Sequence, residues 1–199
     1  MLQDVKNNIG DTKMENIIEQ ENYKGCEIKI VYDTDPLNPV EEYDSFGKMI
    51  CFHKRYILGH KHNHSIESFQ AFLKANEKSI VVLPLYLYDH SGITMKTTPF
   101  SCGWDSGCVG YIYVTYEDIR KEYGIERITT KIREKVENRL IAEVDTYDKY
   151  LTGEVYGFII EKNGGIEDSC YGFYDTSENI IKECKTIIDT YDEQLVLGI

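Results

Sequence analysis

The stretch EVYGFIIEKNGGIEDSCYGFYD, Glu154 to Asp175, decides how this chain folds. Two runs rich in aromatic and β-branched residues flank Asn163-Gly164-Gly165. Asparagine followed by glycine tolerates the positive φ angles of a tight turn, so the two runs predict an antiparallel hairpin. Immediately upstream, Ile128, Ile132, Val136, Leu140, Val144, Tyr147 and Leu151 recur at three- and four-residue steps. That spacing predicts a long helix from about Thr129 to Leu151, with one apolar stripe and Gly153 as its stop. Downstream, Ile180, Ile181, Cys184, Ile187 and Ile188 mark another helix over about 177–192.

Working outward, CEIKIVYD (Cys26 to Asp33) alternates as a strand, and GKMICFHKRYIL resumes as a second one after an acidic loop. Ser65 caps a short helix whose apolar side is Ile66, Phe69, Phe72 and Leu73. SIVVLPLYLYDHSG is the most apolar stretch and predicts a buried strand, bulged at Pro84 or lying next to a sheet edge. CVGYIYVTY is a further strand, and YEDIRKEYG a short helix. Glycine beside aromatics in VGYIY, VYGFII and CYGFY predicts rings lying over missing side chains. Helices and strands follow no regular βαβ order. The expected class is α+β: a mostly antiparallel sheet with helices packed on one face, in a single domain over 25–199. Residues 1–24 carry little hydrophobic periodicity and are expected to form a flexible arm.

The chain has 199 residues and a net charge of −12. That average field repels phosphates, which disfavours direct nucleic-acid binding and anionic membranes. It leaves a basic groove on another protein as a fitting partner. No apolar leader and no membrane-length apolar window are seen, which predicts a cytosolic chain. Its six cysteines are then expected to be reduced, and no CxxC pair suggests a zinc ribbon. Walker, GxGxxG and GxSxG patterns are missing, so the standard nucleotide and serine-hydrolase chemistries are disfavoured.

Three constellations remain. TTPFSCGWDSGC, Thr97 to Cys108, follows the strand that ends at Asp89 and His90. A cysteine nucleophile needs a neighbouring base and a group that orients the base. Cys102, His90 and Asp105 supply those three types, with Trp104, the single tryptophan, beside them. The plainer reading packs Cys102 and Trp104 under the loop, with Asp105 in an Asx turn. Next, His53, His60 and His62 crowd one segment, with His64 following, and neutral imidazoles suit a divalent metal such as zinc. A polar loop that gathers histidines without function is the other reading. Finally, Asp33, Asp35, Glu41, Glu42 and Asp44 form an acidic loop, with Asp189, Asp192 and Glu193 near the C-terminus. Together with Trp104 they are candidate binding residues, able to imitate phosphates in a basic channel; a solvated face is the alternative.

GKMICFHKRYILGHKH, VLPLYLYDHSGITMKTTPFSCGWDSGCVGYIYVTYEDIRKEYG and AEVDTYDKYLTGEVYGFIIEKNGGIEDSCYGFY resemble a family of small phage and mobile-element proteins of Gram-positive bacteria. The resemblance spans roughly residues 26 to 175. It implies an accessory protein and carries no reaction with it. The family pattern reads LGDKH and SCPWDSGQVG, so His60, Gly103 and Cys108 depart from it. His53, His62, His90, Cys102, Trp104 and Asp105 match, which favours one shared site. Two functions are expected from these readings. One is an acidic inhibitor that binds a host nucleic-acid-directed defence enzyme, of anti-CRISPR or antirestriction type. The other is a small cysteine- or metal-dependent hydrolase using His90, Cys102 and Asp105.

Overall fold

The computed structural model describes residues 17–197, with side chains through residue 191. The chain is α+β, with two antiparallel four-stranded sheets. The described residues form two compact units, one over 17–35 and 155–197, the other over Pro36–Glu154.

In the first unit, β1 (Ile17–Tyr23) and β2 (Cys26–Tyr32) form a hairpin, as do β7 (Tyr156–Lys162) and β8 (Gly165–Phe173). The sheet order is β1-β2-β7-β8. Asn163 and Gly164 both take positive φ, 53° and 81°, as the quoted turn requires. Cys26, Ile28, Ile30, Phe158 and Ile160 point to one face. There they bury Ile180, Ile181, Cys184 and Ile188 of α5 (Ser177–Leu197). The arm expected through residue 24 differs from the fold over its last third: Ile17–Tyr23 is a strand, turned at Lys24 and Gly25, both at positive φ. The rest of that arm lies outside the described residues, as do the side chains of Asp192 and Glu193.

The second unit carries α1 (Pro39–Glu42), β3 (Lys48–Cys51), α2 (Ile66–Ala75), β4 (Ile80–Asp89), β5 (Ile93–Lys96), β6 (Ser106–Thr115), α3 (Tyr116–Tyr123) and α4 (Thr130–Thr152). The sheet order is β3-β6-β4-β5. Thr129 caps α4, accepting from the Ile132 amide, and Gly153 ends it at φ 77°. The expected stripe is real: Val136, Leu140, Val144 and Tyr147 are buried against Met49, Leu85 and Ile112. Each such side chain contributes on the order of 1.5–3 kcal/mol. The alternate face holds Tyr111 and Tyr113, whose rings meet Phe69 and Phe72 of α2.

Pro84 lies on β4 next to edge strand β5, and the register shifts between Leu85 and Tyr86. β5 pairs only with Tyr86–Asp89, so no ladder bond is asked of the proline nitrogen on that side. The glycine-aromatic echo is met at one of three places. Tyr171 covers Gly157, whose absent Cβ would strike the ring. Gly110 instead faces backbone of Ile50 and Cys51, while Gly172 takes φ 87° in open space.

Candidate functional site

The central loop lies where β4 ends and β6 begins. The Asp89 amide donates to the Asp105 carbonyl at 2.8 Å, which closes the loop's two ends on each other. The Ser106 hydroxyl donates to the Cys102 carbonyl and holds the turn between them. Gly103 has open space where a Cβ would stand. These contacts push the intervening indole outward: Trp104 is 97% exposed. It does not pack under the loop, and Cys102 is half-buried.

Cys102, Asp105 and His90 do come together, in an unexpected order. The Cys102 thiol donates to Asp105 Oδ2 at 3.9 Å, and His90 Nδ1 lies 3.4 Å from that same oxygen. The carboxylate is therefore the middle group. A cysteine nucleophile needs the imidazole in the middle, taking the thiol proton while the carboxylate orients the ring. Here the thiol's contact is a carboxylate oxygen, and the imidazole reaches that oxygen and not the sulfur. The His90 and Asp105 side chains are 63% and 41% exposed, so water also screens their attraction.

Beside this trio opens a concavity of about 380 Å³. Its wall includes His53, Arg55, Asp89, Trp104, Asp105 and Gly107; Cys102 and His90 are not part of it. Arg55 Nη1 pairs with Asp89 Oδ2 at 3.0 Å, and the Tyr56 hydroxyl donates to Asp89 Oδ1 at 3.2 Å. His53 Nδ1 accepts the amides of Arg55 and Tyr56 at 3.3 and 3.2 Å, and its ring stacks on Tyr56. That pair of bonds uses Nδ1 and leaves Nε2 as the free position.

The other histidines do structural work that sequence reading missed. β3 is an edge strand. The His60 amide donates to the Met49 carbonyl at 2.9 Å, and His60 Nδ1 accepts the Met49 amide at 3.0 Å. His62 Nε2 reaches the Cys51 carbonyl at 2.9 Å, and its Nδ1 accepts the His64 amide at 3.3 Å. The loop thus supplies the partners that a neighbouring strand would supply, which hides the edge. Burial lowers the pKa of His60 below the ordinary imidazole value. Both ring nitrogens of His62 are spent. His53, His60 and His62 are not gathered as a metal site. Among the described residues no three His, Cys, Asp or Glu side chains are grouped to hold a metal ion. The only sequence trace of this role is the alternation of His60 and His62, nine and eleven residues after the end of β3.

The acidic loop divides between the units. Asp33 and Asp35 belong to the first, where Asp33 Oδ1 accepts the Asp35 amide at 3.0 Å. Glu41, Glu42 and Asp44 belong to the second and are exposed; Glu41 pairs with Lys61 at 2.9 Å. No helix of the described residues is long and apolar enough to cross a membrane. No protein family model, curated protein or solved structure matches the chain.

Proposed function

We propose that this chain is an acidic binding protein of phage or mobile-element type. Its partner is a host nucleic-acid-directed defence enzyme, an RNA-guided nuclease or a restriction enzyme, engaged at a basic groove. The observation that carries the reading is Trp104, 97% exposed on the wall of an open polar concavity. An indole held out in water gains nothing for the fold and offers a large anchor to a partner. The contact order at Cys102, Asp105 and His90 favours this over the hydrolase, since the thiol faces a carboxylate. The net charge of −12 supplies long-range attraction to a surface that normally holds phosphates.

The test is inhibition of DNA cleavage by a panel of purified RNA-guided nucleases and restriction enzymes, each measured at rising salt. Inhibition of one of them, weakening steeply with salt, is the expected result. No inhibition across the panel, together with ester or amide hydrolysis that Cys102→Ala abolishes, would install the hydrolase instead.

A further inference from the structure

β6 is longer than the strand that covers its outer edge. β4 pairs with it from Ser106 to Thr115, whereas β3 reaches only Gly110. One further bond, from the Phe52 amide to the Val109 carbonyl at 2.7 Å, ends the contact. His53 then begins the turn that takes the chain away. Among the described residues, Ser106, Gly107 and Cys108 have no strand on that side. The Asp105 carbonyl is spent on Asp89, toward β4. By alternation, Ser106 and Cys108 turn their amides and carbonyls to the open side.

Two concavities flank this open edge, one on each face of the sheet. Gly107 stands opposite Leu87 and shares the polar concavity with Asp89, Trp104 and Asp105. Cys108 stands opposite Tyr86 and faces a second concavity of about 260 Å³, lined by Phe52, Ile66, Phe69 and Tyr111. An extended peptide sends successive side chains to opposite faces of a sheet. The two hollows therefore match two neighbouring residues of one added strand.

We infer that the open edge of β6 at Ser106–Cys108 takes an extended segment of the partner as an added strand, with a cationic side chain in the polar hollow and an aromatic one in the apolar hollow. This rests on the reading of the chain as a binding protein. Asp89 is already paired with Arg55, whereas Asp105, in contact with a histidine and a thiol and 41% exposed, is the carboxylate that a guest cation meets, with Trp104 on the same wall. Gly107 has open space where a Cβ would stand, which leaves room for the guest backbone. Main-chain bonds supply affinity in this mode, and the alternate pockets supply selectivity. A basic enzyme groove presents such cations.

Trp104 is the chain's single tryptophan, so its fluorescence reports the site directly. The probe is a capped peptide alternating arginine and phenylalanine, five residues long. All its arginine amides point to one edge and all its phenylalanine amides to the other. It is expected to change the Trp104 emission saturably and to slow hydrogen exchange at the amides of Ser106 and Cys108. Replacing arginine by glutamate is expected to weaken binding by at least about tenfold. N-methylating one set of amides is expected to weaken it on the order of tenfold, and N-methylating the other set to leave it unchanged. Equal binding by the two N-methylated peptides, or no saturable change with the parent peptide, would overturn the strand-addition proposal. Peptide binding without inhibition of any defence enzyme would support this slot while removing the proposed partner.

Discussion

His60 and Met49 exchange two hydrogen bonds, amide to carbonyl at 2.9 Å and amide to imidazole Nδ1 at 3.0 Å, as if the ring were a second peptide group. The second bond requires a lone pair on Nδ1, and protonation removes it. Burial already holds this imidazole below its ordinary pKa, with Lys48 adding to the effect. The folded value is thus lower than the unfolded one, so the unfolded chain takes up the proton first as pH falls. The stabilisation is complete above about pH 6.5 and is lost progressively below it, by at most about 1.4 kcal/mol per pH unit. Urea midpoints for the native chain and for His60→Asn, which keeps an acceptor but no titrating ring, check this. The native chain should lose more stability between pH 7.5 and 5.5 than the variant. Identical pH profiles would refute the role given to this ring.

Gly110 allows β3 and β6 to approach at the place where they part. A Cβ there would overlap the Ile50 carbonyl oxygen. Neither atom belongs to a flexible side chain, so the strands themselves must separate. Gly110→Ala is predicted to cost roughly 2–4 kcal/mol. Gly103→Ala, in open space, should stay within about 0.5 kcal/mol. Chemical denaturation of both variants decides whether the clash is as rigid as the geometry makes it.

Tyr147 carries the edge loop to the core helix. Its hydroxyl accepts the Gly59 amide at 3.0 Å, deep in the second unit, and burial pushes its pKa up to about 12. Tyr147→Phe leaves that amide without its acceptor, away from water. A loss of about 1–3 kcal/mol is expected. Faster exchange at the Gly59 amide would accompany it; unchanged stability and exchange would count against this link.

The local elements were legible because each had a short-range cause. Asn163-Gly164 announced its hairpin, the 3.6-residue stripe announced α4, and Ser65 announced α2, whose Ser68 amide it accepts at 3.1 Å. The division into two sheets was not legible. β2 pairs with β7 across the whole second unit, and no local pattern records so distant a choice. β1 was hidden because it is an exposed acidic edge, with little burial to impose alternation. At the candidate site the residue types were readable, whereas their order in space was not. Cys102, Asp105 and His90 meet as expected, yet a turn held by Ser106 places the carboxylate between the other two. The histidine-rich segment looked like a ligand set because nothing in sequence shows which strand lacks a neighbour.

On the proposed reading, Trp104 anchors the partner and the Cys102 thiol takes no chemical part. The most direct measurement compares Trp104→Ala with Cys102→Ala as inhibitors of whichever defence enzyme the native chain blocks. Loss of the exposed indole should weaken inhibition by about tenfold or more. Loss of the thiol should leave it within about twofold, since Asp105 keeps its contact with His90. Full activity in the tryptophan variant with none in the cysteine variant would contradict the account.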